Sequence, residues 1–210
     1  VTALMTVMKF NMGYSGLRLG PVLLALLLAA CAGGPPTKDA SRPAQQEVYT
    51  AADIDSDIQE DFQRAVAFLK DGKYDSAIEI LRSVIEREQR FAAPFVNLGM
   101  AYIKQGDKKQ AEENLRKALD IDLGHPVANN ELGLLYRKEG RFEDARKAYE
   151  NALVGHPDYL PARKNLGILC EIYLRDLNCA LEHFEQYQKY VPDDKAVNIW
   201  VVDLQRRLGQ

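Results

Sequence analysis

The side chains with the most reactive chemistry in this chain are three cysteines, Cys31, Cys170 and Cys179, and three histidines, His125, His156 and His183. His125 and His156 each stand in Gly-His-Pro. A metal centre needs several ligands converging on one point, and no His, Cys, Asp or Glu lies at a spacing that would complete such a set. Both histidines therefore read as turn or helix-end residues. His183, next to Glu182 and near Glu185, reads as a solvated position on a helix surface. Acidic and basic residues are interleaved, as in Glu112, Glu113 and Lys117, the pattern of i,i+4 pairing on an exposed helix face. No nucleophile has a placed base, no glycine-rich loop is built to cradle phosphate, and no HExxH occurs. The expectation is a chain with no catalytic residue, no metal and no cofactor. Its formal net charge of -3 gives no electrostatic footprint for nucleic acid.

Cys31 closes a distinctive leader. Residues 1–30 contain no Asp or Glu but do contain Lys9 and Arg18, followed by an apolar run from Pro21 to Ala30. A charged start, a short apolar middle and a small-residue end make the layout of a secretory signal. The run is half the roughly 20 residues that a membrane-spanning helix needs. Its end, Leu28-Ala29-Ala30-Cys31-Ala32-Gly33, is similar to the bacterial lipobox, which implies cleavage before Cys31 and acylation of its thiol. More than one acyl chain makes a stable membrane anchor. The alanine after the cysteine, where aspartate is absent, resembles lipoproteins sent to the outer membrane. Removing Lys9 and Arg18 with the leader takes the formal charge from -3 to -5. Residues 31–52 then form the lipidated cysteine and a linker rich in Gly, Pro and polar residues. Such a composition cannot repay the entropy of ordering, and some 20 flexible residues span roughly 25 Å.

Beyond the linker the chain repeats itself. Ala65, Gly99, Gly133 and Gly167 stand at equal intervals, and Gly72, Gly106 and Gly140 keep the same interval. So do Ala77, Ala111 and Ala145, and again Phe68, Tyr102 and Tyr136. Glycine inside a helix costs about 0.8–1 kcal/mol relative to alanine, which close approach of a neighbouring helix can offset. A period of about 34 residues marks a solenoid of helical hairpins, none of which can bury its apolar face alone. On these residues the chain resembles the tetratricopeptide repeat (TPR) family. The implied fold is all-α, a right-handed superhelical solenoid. Residues 53–193 hold four repeats, at about 58–91, 92–125, 126–159 and 160–193, and residues 194–210 form a C-terminal capping helix. That helix is amphipathic, with Ala196, Ile199, Trp200 and Leu204 expected toward the repeats.

The fourth repeat departs from the pattern. Cys170 stands where the first helix should carry an aromatic, the turn Leu174-Arg175-Asp176-Leu177-Asn178 lacks glycine, and Ala180 arrives one residue late. The angle of this hairpin is left open. Cys170 and Cys179 flank the turn and read in two ways: as small buried residues with free thiols, or as a stapling disulfide, which requires Cα atoms within about 4.4–6.8 Å.

The resemblance also locates a groove, lined by the first helices of successive repeats, that accepts a peptide or helix. Carried onto this sequence, it comprises Phe62, Val66 and Leu69 in the first repeat, and Val96, Asn97, Met100, Ile103 and Lys104 in the second. The third supplies Asn130, Leu134, Arg137 and Lys138, and the fourth Lys164, Asn165, Ile168 and Ile172. An apolar floor with amide and basic margins predicts an extended or amphipathic helical partner. Part of the stripe is equally suited to packing repeat on repeat. The expectation is a periplasm-facing, outer-membrane lipoprotein that binds an envelope protein in this groove, with a homodimer compatible with the fold. It resembles TPR lipoproteins that act as pilotins of type IV pilus secretins, as adaptors of peptidoglycan hydrolases, or in TonB-type systems. The stretches Arg175 to Phe184 and Trp200 to Leu204 resemble the last group. Two functions stand side by side: an assembly scaffold, or a regulatory adaptor that docks an envelope enzyme.

Overall fold

A computed structural model describes residues 54–210; the leader, Cys31 and the linker lie outside the described residues. The described residues are helical throughout, without strands. Four hairpins follow one another. They are α1 (Ser56–Lys70) with α2 (Tyr74–Arg87), α3 (Ala92–Gln105) with α4 (Lys108–Ile121), α5 (Pro126–Lys138) with α6 (Phe142–Val154), and α7 (Leu160–Leu169) with α8 (Leu177–Tyr190). A last helix, α9 (Lys195–Leu208), closes the array.

The first three hairpins turn in the same way. Gly72, Gly106 and Gly140 adopt φ of 75°, 83° and 76°, a left-handed conformation that glycine enters at no steric cost. The residue after each donates back to the last turn of its helix: Lys73 N to Phe68 O, Asp107 N to Tyr102 O and Arg141 N to Tyr136 O, at 2.9–3.0 Å. This is the Schellman closure, which satisfies carbonyls the helix end leaves free. The next helix starts at once. Asp107 accepts from Gln110 N at 3.0 Å, and Asp176 and Asp194 cap α8 and α9 in the same manner. His125 does likewise at α5, its Nδ1 accepting from Ala128 N at 3.4 Å.

The interior glycines are close-approach residues. A Cβ added at Gly133 would run into the Tyr149 ring, one at Gly167 would stand 2.6 Å from Phe184, and one at Gly99 would stand 2.7 Å from Leu115. All three partners are fully buried. The core runs between the two rows of helices in two joined stretches, one centred on the first two repeats and one on the third, fourth and α9. Consecutive first helices lie against one another, and consecutive second helices have no comparable contact. The first helices therefore form the inner face of the curve.

In the fourth hairpin the extra residue is absorbed before the turn. From Cys170 to Leu174 the helix widens to a π-helical turn, Asp176 N reaches back to Cys170 O at 2.9 Å, and Arg175 takes the left-handed place of glycine at φ 56°. A disulfide joins Cys170 to Cys179, with Cα atoms 5.8 Å apart. Phe184 consequently meets Gly167 as Tyr149 meets Gly133.

The additional residue has a second effect downstream. It sets α9 one residue beyond the regular step from α7, so Val197 follows Ala162 and Val201 follows Leu166. One residue turns a helix by about 100°. The packed face is therefore Val197, Val201 and Leu204, with Trp200 tilted against Phe184 at 5.2 Å between ring centroids. Ala196 and Ile199, expected to pack, face solvent; Ile199 is 67% exposed. His183 moves the other way. It is half-buried, its Nδ1 is enclosed without a partner, and burial lowers its pKa.

Candidate partner-binding groove

The inner face is built from equivalent positions on the first helices. Val66, Met100, Leu134 and Ile168 recur at the repeat step and are all half-buried, forming one apolar row with a side chain from each repeat. Beside it, Phe62, Val96 and Asn130 are buried, as is Leu69. These four, expected to line the groove, are part of its foundation. Phe62 packs edge-on against Phe91 at 5.0 Å, and Val96 belongs to the central core. Asn130 accepts from Asn165 Nδ2 at 2.9 Å and donates to Glu131 Oε1 at 3.2 Å. Where first helices touch, the side chain pointing at the neighbour is enclosed, and that is the reason for the difference.

One margin is polar. Asn97, Glu131 and Asn165 occupy one position on three helices. Asn97 Nδ2 donates to Ala93 O at 2.8 Å, and the Glu131 carboxyl is raised in pKa chiefly by burial, an effect opposed by its bond to Asn130 and by Lys104 and Lys138 nearby. The other margin carries Lys104 and Lys138, both exposed, with Ile103 and Arg137 half-buried beside them. Arg137 Nη1 is enclosed without a hydrogen-bond partner, and so is the hydroxyl of Tyr149. Ile172 continues the margin into the fourth repeat at 61% exposure.

Lys164 is committed elsewhere. Its Nζ lies 2.7 Å from Asp194 Oδ2 and over the rings of Tyr187 and Trp200, at 5.2 and 5.6 Å. It straps α9 to α7. Sequence reasoning passes over Lys70 and Glu131 and places Ile199 on the packed face. Lys70 lies one repeat before Lys104 and Glu131 one repeat after Asn97, a signal within reach. Ile199 is hidden by the shifted step of α9.

The outer side is stitched by a repeated pair. Arg82 donates to the Tyr102 hydroxyl, and Arg116 to that of Tyr136 at 3.0 Å. Tyr136 in turn donates to Glu112 Oε1 at 3.0 Å. The aromatic of the first helix thus joins the second and third repeats to the second helix of the repeat before. Among the described residues no cluster of His, Cys, Asp and Glu could hold a metal ion.

The regular spacing of glycine, alanine and aromatic residues on stacked hairpins coincides with family profiles described as tetratricopeptide repeat, which match residues 68–132 and 126–154. Residues 68–154 match tetratricopeptide repeats. The solenoid shares its fold with several solved structures. Pseudomonas aeruginosa pilF is 22% identical over 71% of this chain and 68% of its own, with a TM-score of 0.65. MamA from Desulfovibrio magneticus is 17% identical over 74% and 87%, with a TM-score of 0.62. A tetratricopeptide repeat protein from Parabacteroides merdae is 22% identical over 72% and 60%, with a TM-score of 0.62. No curated protein sequence matches the chain.

Proposed function

We propose that this TPR protein is a membrane-anchored scaffold of the bacterial envelope, holding a peptide or amphipathic helix of a larger complex in the groove of its first helices. The observation that carries the reading is the unbroken row Val66, Met100, Leu134 and Ile168. It offers a partner one half-buried apolar side chain per repeat along a surface with polar margins. Side chains entering such a row contribute by burial, and rows of this kind suit helix or extended-peptide docking. The anchor is lipid on Cys31, which faces the periplasm from the outer membrane and leaves the solenoid free on its linker. The Cys170–Cys179 bridge supports this placement, because structural disulfides persist in oxidising compartments. The complex served is a secretin or type IV pilus assembly, or a TonB-type system.

The test is chemical crosslinking in envelopes followed by recovery of the protein, comparing wild type with Met100→Glu plus Leu134→Glu, and in parallel with Cys31→Ser. A carboxylate buried against a partner's apolar side chain costs several kcal/mol. The groove variant should lose one specific crosslinked protein while its circular dichroism stays helical. Cys31→Ser should leave the membrane fraction. An unchanged partner from a folded groove variant removes the groove from the account, and membrane retention of Cys31→Ser removes the anchor.

A further inference from the structure

With α9 set one residue beyond the repeat step, Val202 stands where α7 has Gly167, and Ile199 stands where α3 and α5 have Val96 and Asn130. Those positions are covered in the repeats before. Gly99, Gly133 and Gly167 each lie against a side chain of their own second helix, and Val96 and Asn130 are buried. On α9 the same positions are open: Ile199 is 67% and Val202 65% exposed, and Ala196 is exposed beside them. The last helix of a solenoid ordinarily turns a polar face outward. This one turns out an apolar stripe.

The residues around the stripe fit a copy of themselves. Lys195, Ile199, Val202 and Arg206 lie along one line of the helix, with Ala196 and Asp203 at its side. Two antiparallel registers bring the apolar side chains of two such helices together. With the two-fold axis between Ile199 and Val202, Lys195 comes level with Arg206 of the second copy, and like charges meet at both ends. With the axis at Ile199 the conflict disappears. The two Ile199 side chains meet, Ala196 comes level with the larger Val202, and Lys195 comes level with Asp203. Asp193, exposed, then falls one residue from the level of Arg206. Asp203 is held in place within its own helix by Arg206 at 2.6 Å and Arg207 at 3.3 Å.

We propose that α9 is the interface of a two-fold dimer, in which two copies of the chain pack antiparallel across Ile199 and Lys195 of each pairs with Asp203 of the other. In such an interface every contact occurs twice, so a two-residue charge pattern fixes the register. The inference goes beyond the groove reading and does not depend on it, since the stripe and the row Val66, Met100, Leu134 and Ile168 share no residue. A single helix pair is smaller than most permanent interfaces, so the dimer dissociates on dilution. It presents two grooves at once, which raises avidity for a partner that repeats its own binding segment.

The test is sedimentation equilibrium of the full-length chain in density-matched detergent over a concentration series, with circular dichroism verifying that each variant is helical. Wild type should show a monomer–dimer equilibrium. Ile199→Asp and Lys195→Asp should each weaken it about tenfold or more, and Lys195→Asp/Asp203→Lys should regain it, because the swap restores opposite charges only between two copies in this register. In oxidised envelopes, Ile199→Cys should form a disulfide-linked dimer and Lys109→Cys, exposed on α4, should not. A wild type that stays monomeric at every concentration overturns the interface. Association lost in Ile199→Asp but not regained by the charge swap overturns the register. Association lost in Met100→Glu/Leu134→Glu and kept in Ile199→Asp places it in the groove and overturns the assignment to α9. Ile199→Cys linked to a different protein, and not to itself, overturns the second copy as the occupant.

Discussion

The hairpin of the third repeat and that of the fourth reach the same packing by different means. In the third, Gly140 supplies the left-handed residue and the turn closes with backbone bonds alone. In the fourth, one residue more has to be accommodated. The helix widens over Cys170–Leu174, Arg175 takes the left-handed position with a side chain attached, and a covalent bridge spans the turn. Yet Tyr149 on Gly133 and Phe184 on Gly167 are equivalent contacts. The contact between small residue and aromatic is what the fold preserves, and the turn is adjusted to serve it. What the extra residue does change lies beyond the hairpin, where α9 is rotated and Ile199 is turned outward.

This comparison can be broken most severely at the bridge. Cys170→Ala with Cys179→Ala should cost about 2–3 kcal/mol, the chain-entropy value for a loop this short. The loss of hydrogen-exchange protection should be confined to α7, α8 and α9. Next comes the shared contact. Gly133→Ala gains about 1 kcal/mol in helix propensity but overpacks against a fully buried ring, which costs about 3 kcal/mol. Denaturant unfolding should show a net loss of about 2 kcal/mol, from the difference of those two effects. A smaller effect distinguishes the turns themselves. Gly140→Ala should cost about 1 kcal/mol for a left-handed alanine, although nothing crowds its Cβ. Arg175→Gly should be neutral or stabilising by up to about 1 kcal/mol for the opposite reason. The mildest test uses pH. His183 stands where the third hairpin has Ala148, and burial lowers its pKa below 6.5. The folded state therefore binds fewer protons than the unfolded state between the lowered value and 6.5, and stability declines as pH falls through that window. Thermal unfolding of His183→Ala should show a shallower decline.

Much of this architecture is legible in the residues, because the constant interval between Gly99, Gly133 and Gly167 ties helix pairing directly to sequence. The glycines after α1, α3 and α5 mark helix ends for a local reason, the left-handed turn, so hairpin positions can be read without tertiary information. The groove is less legible. Phe62, Leu69, Val96 and Asn130 share the periodicity of Met100 and Leu134, but whether a side chain at these positions is enclosed depends on how closely the neighbouring first helix approaches. Sequence spacing does not encode that distance. The face of α9 escapes the pattern because one added residue in a distant turn rotates a whole helix. The commitment of Lys164 to Asp194 has no local signal, since it joins two elements across an irregular hairpin. The charged neighbours of His183 suggest solvation, whereas the aligned Ala148 and Asn114 are both buried.

In the proposed function, partners bind on the inner row of first helices. Hydrogen–deuterium exchange of the full-length chain, with and without the protein captured by crosslinking, tests it most directly. Protection gained over residues 93–104, 127–138 and 161–174, with α2, α4, α6 and α8 unchanged, is the predicted result. Protection confined to the second helices, with the first helices exchanging as before, would contradict it.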